Sequence, residues 1–184
     1  MSVLASPAIP ILETERTVLR GFQRRDLDAH FAMWADSGVT RFIGGRPMTR
    51  EEAWGRYLRY AGLWVVLGYG FWAVEEKSSS RLIGNAGFHD LHRDIFPSID
   101  GLPEAAWALV PEAHGRGLAT EIVTAMHRWS DVHLEASRTV CIVDPDNAAS
   151  LRVALKCGYQ EQLRTVYHDR PTILLQRPRR PAPF

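Results

Sequence analysis

Ala105-Ala-Trp-Ala-Leu-Val-Pro-Glu-Ala-His-Gly-Arg-Gly-Leu-Ala-Thr-Glu121 changes character twice. Its first part, Ala105 to Val110, reads as a strand that Pro111 breaks. A loop with Gly115 and Gly117 then opens a long helix whose Leu118, Ile122, Met126 and Trp129 share one face. Two glycines let a backbone turn tightly and approach a ligand closely. The first amides of a helix have no intrahelical partner and stand at the positive end of its dipole, a place that binds phosphate. Arg116 adds a cation beside them. A dinucleotide fingerprint fits badly. Its third glycine would fall where Thr120 stands, and its acidic residue near Glu135, before the next strand and not at its end.

The rest of the chain extends this strand-and-helix pattern outward. Residues 10–21 read as a strand, and Asp26 as the cap of a helix with Leu27, Phe31 and Trp34 on one face. Thr49 and Glu52 form a capping box, followed by a stripe of Trp54, Leu58 and Ala61. Residues 69–76 and 82–89 alternate as an antiparallel hairpin around Ser78-Ser79-Ser80, and a loop spans about 90–103. Thr139 to Val143 is a buried strand. Asp146 or Asn147 starts a helix with Leu151, Ala154 and Leu155 inward and Gly158 as its stop. Tyr159 to Arg164 and Thr172 to Gln176 end the sheet. The predicted class is α/β (α+β), with about seven strands and four helices in a single domain over residues 1–184. The proline-rich Arg177 to Phe184 is expected to fray.

Composition bounds the function. The 184 residues are 46% hydrophobic and 23% charged, which suits one globular core. A net charge of +1 argues against nucleic acid as the main partner. The longest apolar stretch, Leu63 to Leu67, is too short to span a bilayer, and the N-terminus is a poor signal peptide. Cys141 and Cys157 have no metal or redox spacing and read as small buried hydrophobes. A cytoplasmic location is expected. His89 and His92, three apart in a strand-to-loop segment, do not converge on a metal, so none is expected.

His114-Gly-Arg-Gly-Leu-Ala-Thr-Glu121 resembles the acetyl-coenzyme-A pyrophosphate loop of GNAT acetyltransferases, with Gly115 and Gly117 at its glycine positions and Glu112 departing from its first. Asp146-Asn-Ala-Ala-Ser-Leu-Arg-Val-Ala-Leu-Lys-Cys-Gly-Tyr159 resembles the family's second segment. Leu12-Glu-Thr-Glu-Arg-Thr-Val-Leu-Arg20 and Leu82-Ile-Gly-Asn-Ala-Gly-Phe88 are similar to the branch that acetylates ribosomal-protein N-termini. These four matches stand in the family's order and cover nearly the whole chain.

The resemblance implies a mixed, mostly antiparallel sheet whose strands splay at the acetyl-coenzyme-A site. Pantetheine would pair with backbone near Leu109 and Val110, an amide near Val110 holding the oxyanion. The diphosphate would lie on the loop from His114 and Gly115 through Arg116, Gly117, Leu118 and Ala119 to Thr120. An amine would attack the thioester directly. Glu104 is the candidate base and Ser150 the donor to the leaving sulfur, with Asn147 on the pantetheine arm or capping its helix. Trp34, Phe42, Phe71 and His89 are candidates for the acceptor pocket. The expected acceptor is a peptide or small-molecule amine, and a homodimer is implied by family analogy alone. A non-catalytic acyl-coenzyme-A-binding domain on the same fold is the alternative.

Overall fold

Residues 8–180 are described by the computed structural model. The strands are β1 Leu12–Glu13, β2 Thr17–Arg20, β3 Phe71–Glu76, β4 Arg81–His89, β5 Glu104–Leu109, β6 Arg138–Val143, β7 Gln160–Tyr167 and β8 Arg170–Pro178. The helices are α1 Leu27–Ala35, α2 Ser37–Thr40, α3 Arg50–Leu67, α4 Leu118–His133 and α5 Ala148–Lys156. One eight-stranded sheet runs in the order β1-β2-β3-β4-β5-β6-β8-β7. Every pairing is antiparallel except β5 with β6.

Alternation along the strands decides which side each residue serves. Trp72 and Val74 of β3, Ala86 and Phe88 of β4 and Ala105 and Leu109 of β5 bury against Leu118, Ile122, Val123, Met126 and Trp129 of α4. Phe71, on the other face, packs with Tyr60 and Leu63 of α3, and Ala108 with Met33 and Trp34 of α1. The α4 side holds the main core, and the side facing α1 and α3 holds a smaller one.

Several expectations are corrected. Residues 10–21 form a hairpin of two strands, because Thr14 Oγ1 hydrogen-bonds the Thr17 backbone and turns the chain between them. The short α2 and the split first strand make five α-helices and eight strands among the described residues. Asp26 stands at the start of α1 but does not cap it. Its carboxylate binds Arg20 through two bonds of 2.8 Å and accepts from the Gln23 amide. The Thr49–Glu52 capping box is present, but the stripe beyond it faces the other way. Ala53, Tyr60, Leu63 and Trp64 are buried, whereas Trp54, Leu58 and Ala61 are exposed. Trp54 stacks on Tyr57 at the surface. Leu155 is exposed too, and α5 buries Ala154.

The tail is not loose at residues 177–180. Arg177 is 4% exposed and grips Asp131 of α4 through two bonds of 2.8 and 2.6 Å, and Arg179 and Arg180 also bond Asp131. A buried guanidinium fork on a carboxylate overrides the prolines' disfavour of regular structure. Residues 181–184 lie outside the described residues.

Inside the main core sits His127, 2% exposed, with neither ring nitrogen partnered. Its ring lies between Phe88 and Tyr159, at 5.5 and 5.2 Å. Burial, helped by Arg177, holds it neutral, its pKa pushed from 6.5 down to about 3. The unfolded chain then binds a proton below about pH 6.5 that the folded chain refuses until near pH 3. Stability is whole above that window and falls as pH drops through it. We expect a loss of about 1.4 kcal/mol between about pH 7.5 and about pH 5.5 from this group. Urea unfolding at both pH values should show a clearly smaller loss in His127→Leu. An equal loss in both proteins would show that His127 is not the acid-sensitive group.

Candidate active site

β5 and β6 run parallel but share a single registered pair, Glu104 with Val140, beside a bond from the Val140 amide to the Pro103 carbonyl at 3.1 Å. Beyond that pair the strands part toward their C-terminal ends. A parallel pair must be separated by a crossover, here α4, and α4 packs on one side only. The parted strands open into a cavity of about 660 Å3. Ala105 to Ala108 form one wall and Cys141 to Asp144 the other.

The backbone at this opening refines one expectation. The Val110 amide donates to the Ile83 carbonyl at 2.9 Å and is committed to β4. Alternate residues of a strand address opposite neighbours, so the amide facing the opening is that of Leu109. The Leu109 carbonyl accepts from His114 Nε2 at 2.9 Å, which makes His114 a brace between the strand end and the loop.

After a 3-10 turn at Pro111–Ala113, Gly115 and Gly117 take φ of +71° and +78°. Gly117 occupies the N-cap position of α4 with no side-chain cap. Among the described residues, no amide from Gly115 to Thr120 finds an acceptor within the chain. These donors fan outward at the positive end of a 16-residue helix. The Arg116 side chain is engaged elsewhere, bonding Glu76 at 2.7 Å, so its offering to a phosphate is its amide. Arg16 was not foreseen. Its guanidinium binds the Arg116 carbonyl at 2.8 Å and Glu121 at 2.6 Å, bracing the loop. A side chain at Gly115 would meet nothing within 4 Å, leaving open room over the amides.

At the closed end of the opening Glu104 is 3% exposed. Arg93 grips it through bonds of 2.6 and 2.9 Å and also donates to the Tyr167 hydroxyl at 3.0 Å. His89 Nε2 lies 3.2 Å from Glu104 Oε1, at an angle that leaves it without a hydrogen bond. Burial alone would raise the Glu104 carboxyl. His89 and Arg93 outweigh it and hold the group below the ordinary carboxylate range. On α5, Asn147 Oδ1 accepts from the Ser150 amide at 3.1 Å, capping the helix and leaving its amide nitrogen free. The Ser150 hydroxyl makes no bond to the described residues.

The cavity brings together Glu104, Ser150, Asn147, Trp34, Phe42, Phe71 and His89. The loop 115–120 does not line it. The sequence reading missed Arg56, Arg59 and Tyr60, which line it from α3, and Arg93, Tyr167 and Arg170. The first group had a legible signal, since positions three and four apart share a helix face. The others come from a loop and a hairpin turn, where no periodicity tells direction.

Both cysteines are buried, and burial pushes both thiols up, away from the thiolate that a nucleophile needs. Asp90, His92 and Asp100 lie close enough together to share a cation, on the exposed side of the 90–103 loop. No helix among the described residues is long and apolar enough to cross a membrane.

Comparison with known proteins agrees with this geometry. Residues 16–160 match the family model of the acetyltransferase (GNAT) domain. An uncharacterized N-acetyltransferase of Bacillus subtilis, YoaA, is 32% identical over 157 residues, covering 83% of this chain and 84% of its own. A Bordetella pertussis protein described as a GnaT-family acetyltransferase is 31% identical with a TM-score of 0.80, over 91% of this chain and 99% of its own. An acetyltransferase from Agrobacterium tumefaciens shares the fold at 24% identity and a TM-score of 0.79, over 96% of this chain and 98% of its own. With parted strands, a partnerless amide fan and a family match over most of its length, the chain belongs to the GNAT acetyltransferase family and is an acetyl-coenzyme-A-dependent N-acetyltransferase.

Proposed function

We propose that the protein transfers an acetyl group to a primary amine by direct attack, with both substrates bound in the opening between β5 and β6. The observation that carries this reading is the unpartnered amide fan of Gly115 to Thr120 beside parted strands. Those residues fit the coenzyme's diphosphate, and the opening fits its pantetheine arm. The Leu109 amide is the donor available to polarise the thioester carbonyl, a role worth roughly 3–4 kcal/mol when the donor is preorganised.

The amine nitrogen bonds the acetyl carbon as the carbon–sulfur bond breaks, so one proton leaves the nitrogen and one reaches the sulfur. Glu104 and His89 are proposed to take the first. A carboxylate held anionic by Arg93 is a weak base, and His89 Nε2 stands 3.2 Å from it as the nitrogen that receives the proton. Glu104 then acts with His89, supplying charge where His89 supplies the lone pair. Ser150, which lines the cavity and whose hydroxyl makes no bond to the described residues, is proposed to donate to the leaving sulfur. Buried thiols leave no place for an acyl-cysteine intermediate.

Release of free thiol from acetyl-coenzyme A with a panel of amines tests the reading. Turnover with at least one amine is expected, and Ser150→Ala should lower kcat by roughly tenfold, with the KM for acetyl-coenzyme A within about twofold. Tight coenzyme binding with no release from any amine would sink it.

A further inference from the structure

The cavity's charges are unevenly matched. Of its carboxylates, Glu104 is bound to Arg93 and Asp144 to Arg170, the latter at 2.9 Å. Two further arginines line the same cavity from α3, Arg56 and Arg59, and neither has a carboxylate partner among the described residues. They sit three residues apart and so on one helix face. The Arg56 guanidinium stands 4.1 Å over the ring of Trp34, itself 1% exposed. That ring orients the cation without neutralising it. Arg59 is exposed overall, and partial desolvation first, then the like charges of Arg56 and Arg93, hold it below its ordinary range. The α3 side of the cavity therefore presents two cations that repel each other and have no carboxylate partner among the described residues.

We propose that the acceptor is a small primary amine that also carries an anionic group, carboxylate or phosphate, and that Arg56 and Arg59 bind that group. This rests on the acetyl-transfer reading above. Guanidinium forks match the planar oxygens of a carboxylate and the oxygens of a phosphate, and an anion here relieves the repulsion that the free protein carries. A polyamine or aminoglycoside would bring several further cations into this field, where the carboxylates among the described lining residues, Glu104 and Asp144, are already paired. The cavity's volume, about 660 Å3, is that of a small-molecule site. It reaches from these arginines to Ser150, so one ligand can touch both.

The test compares paired amines that differ in charge. β-Alanine is set against β-alaninamide and phosphoethanolamine against ethanolamine, with spermidine and kanamycin as polycations. The wild type should favour an anionic member over its neutral partner by at least about thirtyfold in kcat/KM. Which pair shows the preference tells carboxylate from phosphate. Arg56→Gln and Arg59→Gln should each shrink that ratio by about tenfold or more, and Arg59→Lys should restore part of it. The same amines are also titrated by calorimetry into protein saturated with coenzyme A, where no turnover is needed. If anionic amines bind there with the predicted arginine dependence but none is acetylated, the transfer reading fails and the charge assignment stands. If spermidine or kanamycin is the better substrate or ligand, or if neither arginine variant moves the ratio, the proposal is overturned. Absence of both turnover and binding for every anionic amine overturns it as well.

Discussion

Glu104→Gln is expected to lower kcat by about a hundredfold, the scale of a lost acid–base contribution, while the KM for acetyl-coenzyme A stays within about twofold. The amide is isosteric, but it removes the negative charge 3.2 Å from His89 Nε2. It also leaves Arg93 facing a neutral group that keeps one acceptor oxygen and sets an NH2 against the other guanidinium nitrogen. Removing one member of a buried pair costs about 3–5 kcal/mol of stability, so turnover has to be read on protein shown to be folded. The stability share of Glu104 has a definite sign. Its folded pKa is lowered, so that share is present above the ordinary carboxylate range and is lost as pH falls through it. The double variant Glu104→Gln with Arg93→Met removes the stranded cation and should recover stability without recovering turnover. His89→Gln separates the roles further. If Glu104 and His89 act as one unit, it costs about as much as Glu104→Gln and the double variant costs little more than either, because such effects are not additive. Near-normal kcat in folded Glu104→Gln would remove the carboxylate from the mechanism.

Gly117→Val is expected to raise the KM for acetyl-coenzyme A by about thirtyfold, equivalent to about 2 kcal/mol, with the amine KM within about threefold. Gly117 has φ of +78°, where a β-branched residue is an outlier. Core packing is not at stake, since an added Cβ would meet only the Arg16 guanidinium, at 3.7 Å. The strain instead turns the amides of Gly117 and Leu118 out of the fan that faces the diphosphate. Each charged hydrogen bond lost is worth about 1.5–3 kcal/mol, which sets the size of the effect. Steady-state kinetics with each substrate varied in turn would check it. Equal increases in both KM values would mean that the loop shapes the whole site and does not specifically hold phosphate.

The two predictions differ in how far the sequence reaches. Gly115, Gly117 and the face of α4 are legible because their signals are local. A glycine permits left-handed backbone wherever it stands, and helical spacing holds within a few residues. The alternation of β3 and β4, the Thr49 capping box and the Gly158 stop are local in the same sense, and all are present. The four motif matches extended this to the family and the central sheet. Partners distant in the chain were not legible. Whether the Val110 or the Leu109 amide is free depends on which strand lies beside β5. Trp54 and Leu58 had the right spacing for burial, yet the helix turned Tyr60 and Trp64 inward, because ring packing on Phe71 and Trp72 outweighs a short local stripe.

By itself the sequence determined the loop, the helix behind it and the family, because each rests on contacts and conformations within a few residues. Only the tertiary structure decided that Arg93 locks Glu104, that Arg177 ties residues 177–180 to Asp131 and that Arg56 and Arg59 line the cavity with no carboxylate partner among the described residues. Charges act through space, and the pairing of a charge is settled only when segments far apart in the chain are brought to within a few ångströms.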